Sequence, residues 1–131
     1  MSLKVAMNQL RQDMVMANTE GFQVGLYKNN VTPTVGSVLS DFTPADFGGY
    51  AGLTSMTGAA VADDGTTATM TWDPVVFTCD GSAAGDVYGY YVRNVTQNYL
   101  AWAELDPAGP VNLSVNGQTY TVVPKLTNRN Q

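Results

Sequence analysis

DVYGYYVRNVTQNYLAWAEL, residues 86–105, gathers much of the chain's aromatic mass in Tyr88, Tyr90, Tyr91, Tyr99 and Trp102. Its alternation reads as two strands joined by a short polar connection around Asn94, Thr96 and Asn98. The first strand sets Val87, Gly89 and Tyr91 against Tyr88, Tyr90 and Val92. The second sets Leu100, Trp102 and Glu104 against Tyr99, Ala101, Ala103 and Leu105. Aromatic and β-branched residues suit a pleated, half-buried surface, and a period of two gives each strand two different faces. A hairpin at this point predicts that the sheet forms around it, with Trp102 in the core.

On either side the pattern stays that of strands and turns. Phe22, Val24 and Leu26 alternate with Gln23, Gly25 and Tyr27, and Lys28-Asn29-Asn30 is turn chemistry. Val31-Thr32-Pro33-Thr34 continues as an extended piece with no N–H at Pro33. Thr43-Pro44-Ala45-Asp46 predicts a one-turn helix, with Thr43 as cap, Pro44 at the first helical position and Asp46 in the first turn. Phe42 and Phe47 would be its apolar plugs. Residues 50–56 and 59–62 read as strands, Asp63-Asp64-Gly65 as a tight turn, and residues 66–72 as a strand whose apolar face is Ala68, Met70 and Trp72. Residues 75–79, VVFTC, read as a short buried strand. Asn116-Gly117, between alternating residues 111–115 and 118–123, predicts a hairpin, and Leu126 is the last apolar anchor. About eight strands at this spacing, with no alternation of strands and helices, make the fold all-β. A single antiparallel β-sandwich or jelly-roll-like domain is expected over residues 21–131.

Residues 1–20 stand apart as an N-terminal arm, helical or extended. Leu3, Met7, Leu10 and Met14 recur at steps that share one helix face. That stripe suits packing on its own sheet or reaching a neighbouring subunit.

Composition narrows function by exclusion. The chain has 131 residues, 13% of them charged, and a formal net charge of −5. An acidic chain with scattered Lys and Arg argues against nucleic acid, which needs clustered basic residues. No apolar run has the roughly 20 residues of a membrane span. The lone Cys79 and the absence of a secretory pattern predict synthesis in a reducing cytoplasm. With no histidine, triads built on that residue are impossible, and Asp80 beside Cys79 makes a poor thiol nucleophile. Glu104 is the one strand carboxylate placed among aromatics, and a strand-face role is expected for it rather than glycosidase acid chemistry. Asp63-Asp64-Gly65 and the residues 80–86 have turn chemistry, not the spacing of a calcium loop. No enzymatic activity, cofactor or metal is therefore expected. The strand tyrosines are open to three uses: packing, a subunit interface or a sugar-binding face.

A series of short segments adds a resemblance. GFQVGLYKNNVTPT (21–34), SDFTPADFGGYAG (40–52), PVVFTCDGS (74–82), VYGYYV (87–92) and LAWAEL (100–105), in this order and spacing, resemble small virion proteins of tailed bacteriophages, of the head decoration (cement) type. The resemblance covers residues 21–126. It implies a β-sandwich or jelly-roll body, clustering as homotrimers, binding to the major capsid protein, and a place on the virion's capsid surface after synthesis in the host cytoplasm. Leu3, Met7, Leu10, Met14, Tyr90 and Tyr99 are the expected interface residues. The alternative role is a tail, fibre or head-spike module that binds host-surface glycans.

Overall fold

A computed structural model of the chain describes residues 21–34, 36–63, 67–95 and 98–129, and these form an all-β antiparallel sandwich. Residues 1–20, with the expected arm and its stripe of Leu3, Met7, Leu10 and Met14, lie outside the described residues. So do Asp64, Gly65 and Thr96, and the side chain of Leu126.

The strands are β1 (Phe22–Tyr27), β2 (Thr54–Ser55), β3 (Ala60–Asp63), β4 (Thr67–Thr71), β5 (Val75–Thr78), β6 (Gly85–Val87), β7 (Gly89–Asn94), β8 (Tyr99–Leu105), β9 (Val111–Leu113), β10 (Thr119–Val122) and β11 (Lys125–Arg129). Their pairing is nested: β7 with β8, β6 with β9, β5 with β10, β4 with β11, all antiparallel. The chain is a long ribbon folded back at the turn that follows Asn94. β1 and β2 extend the β7–β8 sheet, giving the order β2-β1-β7-β8, and β3 adds to β4.

The central hairpin forms as expected, with two adjustments. Val87 belongs to β6 and pairs with Val111, so the first strand proper starts at Gly89. A bulge between Val92 and Arg93 then pairs Val92 with Trp102 but Arg93 with Leu100. An extra residue on one strand reverses the facing of everything beyond it. Leu100 therefore joins Ala103 and Leu105 on one face instead of sharing the Trp102 face.

Both faces of this sheet are covered. Phe22, Val24, Leu26, Tyr90, Val92 and Trp102 pack into the main core with Met70, Trp72, Phe77, Val87, Leu113 and Val122 from the other strands. On the opposite face, Tyr27, Tyr91 and Ala103 meet Phe42, whose ring stands edge-on to Tyr27 at 4.9 Å and stacks on Tyr91 at 5.7 Å. The β1–β2 connection thus lies over the sheet as a third layer. Gly25 permits it, since a Cβ there would come to 3.0 Å from both Leu53 Cδ2 and the Tyr50 hydroxyl.

That covering layer explains the missing helix. Residues 43–47 run extended beside β1, where Lys28 N–H donates to Thr43 C=O, Ala45 N–H donates to Leu26 C=O, and Pro44 bridges Tyr27. Pairing with a strand edge overrides the local capping signal. A 3-10 turn instead forms at Leu39–Asp41, where the Asp41 carboxylate accepts the Val38 N–H at 2.9 Å. Phe42 and Phe47 are buried plugs as expected. The expected strand over residues 50–56 is reduced to β2.

The C-terminal hairpin is corrected as well. β9 and β10 flank Asn116-Gly117 but do not pair with each other; β9 joins β6 and β10 joins β5. The Val115 C=O accepts the Gln118 N–H, Gly117 has φ 92°, and Asn116 is not at positive φ. A tight two-residue hairpin of type I′ needs positive φ at both positions; positive φ at the second alone is the type II pattern. The Gln118 Oε1 also accepts the N–H groups of Ser114 and Val115, each at 2.7 Å. The turn is a corner between two sheets.

Candidate functional site: the mouth between β8 and β10

Where β8 ends and β10 passes beside it, a pocket of about 230 Å³ opens, lined by Tyr90, Glu104, Leu105, Asp106, Pro107 and Tyr120 among others. Two tyrosine–carboxylate pairs shape it. The Tyr90 hydroxyl donates to Glu104 Oε2 at 3.0 Å, because register places Tyr90 opposite Glu104 on the core side of the sheet. The Tyr120 hydroxyl donates to Asp106 Oδ2 at 2.6 Å, a short charge-assisted bond across the mouth. Lys125 Nζ stands 3.6 Å from Glu104 Oε1. Asp106 Oδ1 accepts the Ala108 N–H at 2.9 Å, and the Asp106 N–H donates to Tyr88 C=O.

Burial pushes the Tyr90 phenol well above its ordinary value, with the Glu104 charge adding to the effect. Tyr120 is raised by burial, then by its bond to Asp106. Tyr27 and Tyr91 are each pushed up to about 12, chiefly by burial. These phenols therefore hold their protons at neutral pH, and Tyr27, Tyr90 and Tyr120 act as fixed donors. In this arrangement the carboxylates accept and the phenols donate. The Trp102 indole N–H is buried and finds no hydrogen-bond partner among the described residues, its polar neighbour being the Tyr90 hydroxyl.

Of the residues singled out in the sequence, Trp102 is core, at 3% exposed. Tyr90, expected as a contact residue, is instead buried with its hydroxyl committed to Glu104, because its face of β7 is the main-core face. Tyr99 stays at the surface, 37% exposed, beside Val38 and Leu39 at the far end of the sheet. Glu104 is the strand-face carboxylate expected. Cys79 is fully buried. Asp80 is held below the usual carboxylate range by the Ser82 hydroxyl and amide, the turn role expected of it. Among the described residues no group of three carboxylate or thiol side chains converges as a metal site, and no helix is long and apolar enough to cross a membrane.

Asp106, Tyr120 and Lys125 were not legible as site residues. Asp106 lies in an Asp-Pro loop and Tyr120 in a strand that reads as half of a different hairpin. Asp106 follows β8, Tyr120 comes from β10 paired with β5, and Lys125 from β11 paired with β4, so the packing of three separate strand pairs assembles the mouth.

A second surface is built by that same pairing. Phe77, Tyr120 and Val122 turn inward, so Val76, Thr78, Thr119 and Thr121 turn outward, with Val76 opposite Thr121 and Thr78 opposite Thr119. Residues 75–79, expected as a buried strand, are therefore half exposed, and Val76 is 56% exposed. No charged residue occurs between Asp106 and Lys125. The outward face is valine and threonine without charge.

Comparison with known proteins finds no matching family model, curated protein or solved structure.

Proposed function

We propose that the chain is a structural virion protein that decorates a phage capsid by binding the major capsid protein, and that it works as a homo-oligomer. The observation that carries this reading is the outward face of β5 and β10. It is a β surface of Val76, Thr78, Thr119 and Thr121, none of them charged. Depletion of charge is what distinguishes the centre of protein interfaces from ordinary surface. The aromatic hairpin supports the same reading in a different way. Apart from Tyr99, its large side chains are spent on the core and on fixed hydrogen bonds, leaving function to the surfaces around it. The segment series that resembles decoration proteins agrees with this use.

The test is co-sedimentation with undecorated phage heads, using the full chain and a Thr121→Lys variant. The native chain is expected in the head pellet, and Thr121→Lys in the supernatant, since one charge in an interface centre is costly to desolvate. A native chain that stays in the supernatant at every concentration refutes the assignment.

The mouth between β8 and β10 favours a second reading, a glycan-binding module. Tyrosine rings and carboxylates together offer the apolar and acceptor groups that sugars need. Saturable glycan-array binding lost in Asp106→Ala is the outcome that selects it.

A further inference from the structure

The geometry points to Asn116 as a latent site of spontaneous modification, a deamidation site that the fold keeps closed through the backbone of Cys79. The Asn-Gly pair is chemically the most exposed of peptide units to this reaction, because glycine has no side chain to hinder its nitrogen. In the reaction the Gly117 backbone nitrogen loses its proton and attacks the Asn116 side-chain carbonyl carbon. The new C–N bond closes a succinimide and ammonia leaves with the transferred proton. Solvent water then opens the ring to aspartate or isoaspartate, so the balance is asparagine plus water giving the acid plus ammonia.

Both residues of the pair are exposed, so access is not what limits the reaction. What limits it is the nucleophile. The Gly117 N–H is donated to the Cys79 C=O at 2.8 Å, and the Cys79 N–H is returned to the Gln118 C=O at 2.7 Å. Two residues of one strand face one of the other, with glycine at φ 92° in the first position, which is a glycine-type bulge. The bulge continues the β5–β10 ladder to the tip of the turn, and so ties the reactive nitrogen to strand β5. Gly81, two residues beyond Cys79, packs against the same turn: a Cβ on it would stand 2.8 Å from Asn116 N and 3.1 Å from Asn116 Cβ. The nitrogen can reach the side chain of Asn116 only when the bulge opens. Conversion places a new carboxylate in the stretch between Asp106 and Lys125, which carries no charge. The isoaspartate form also lengthens the backbone inside the corner.

The experiment follows the amide-to-acid mass change of the proteolytic fragment holding Asn116, with the intact chain incubated at mildly alkaline pH. Controls are the same chain in denaturing urea and a synthetic peptide of residues 112–121. The folded chain is expected to react roughly tenfold more slowly than either control, as one hydrogen bond and its packed surroundings must open first. Gly81→Ala, whose new methyl group displaces the turn, is expected to move the folded rate at least about threefold toward the peptide rate. Equal rates in the folded chain and the peptide overturn the inference, and so does a folded Gly81→Ala chain that reacts at the native rate. If that variant fails to fold, the native-against-urea ratio decides alone: a ratio of one overturns it.

Discussion

Replacing Tyr120 with phenylalanine removes one oxygen from the mouth of the sandwich and leaves the ring in place. That oxygen donates to Asp106 Oδ2 at 2.6 Å. Asp106 sits in the loop that leaves β8, so the bond ties β10 to that exit. A hydrogen bond to a charged group contributes about 1.5–3 kcal/mol. The lower end applies here, because the pocket is open and the carboxylate left behind keeps the Ala108 N–H and gains solvent. The expected loss is about 1.5 kcal/mol, or roughly 5 °C in Tm for a chain of this size. Urea unfolding followed by tryptophan fluorescence measures it, with the slope unchanged and only the midpoint moved. Asp106→Asn and the double variant complete the cycle, and a coupling of about 1 kcal/mol is expected between the two positions. A Tyr120→Phe loss below about 0.5 kcal/mol, the range of an ordinary surface change, together with additive single variants, refutes the account of the mouth as a stabilised closure.

Gly89→Ala is expected to cost about 3 kcal/mol or more in the same assay. The added Cβ meets the Glu104 carbonyl oxygen on the neighbouring strand and stands 2.8 Å from the Tyr27 hydroxyl, and backbone on a paired strand has nowhere to move. Near-native stability for that variant contradicts the β7–β8 register. At alkaline pH, Tyr27 and Tyr91 ionise at about 12 in the folded chain and near 10.0 when unfolded. The folded state binds more protons in that window, so stability is full below pH 10 and falls as pH rises toward 12. Thermal melts should show Tm declining across this interval, with ultraviolet titration of these phenols coinciding with unfolding. A flat Tm there contradicts their burial.

The all-β class was legible in the sequence because alternation in residues 22–27, 67–72 and 86–105 reports directly on strand faces. Trp102 and Met70 in the core follow from the same period. What the sequence concealed was set by distant partners. Thr43-Pro44-Ala45-Asp46 carries a sound helix start, yet the adjacent edge of β1 captures it through Lys28 and Ala45. Asn116-Gly117 marks a turn wherever it occurs, but which strands it joins depends on the sign of φ at Asn116 and on the Gln118 side chain. The bulge at Val92 and Arg93 leaves no local trace, so the face of Leu100 was unreadable. The Asp106–Tyr120 pair depends on where β10 lies, which the expected pairing of β10 with β9 misplaced.

The nested pairing of β4–β7 with β8–β11 also sets an order for assembly. Among these four nested pairs only β7 and β8 are joined by a short connection, so theirs is the nested closure that costs least chain entropy from the unfolded state. Once they pair, the ends of β6 and β9 are already near each other, and each closure brings the next pair outward within reach. The ribbon zips from the turn after Asn94 toward the termini, and fraying runs the other way, from β4 and β11 inward. Folding speed is then governed by residues 89–105, while slow loss of structure begins at the terminal strands. The stretch richest in aromatics is thereby the first to be hidden from solvent during folding and the last to be released.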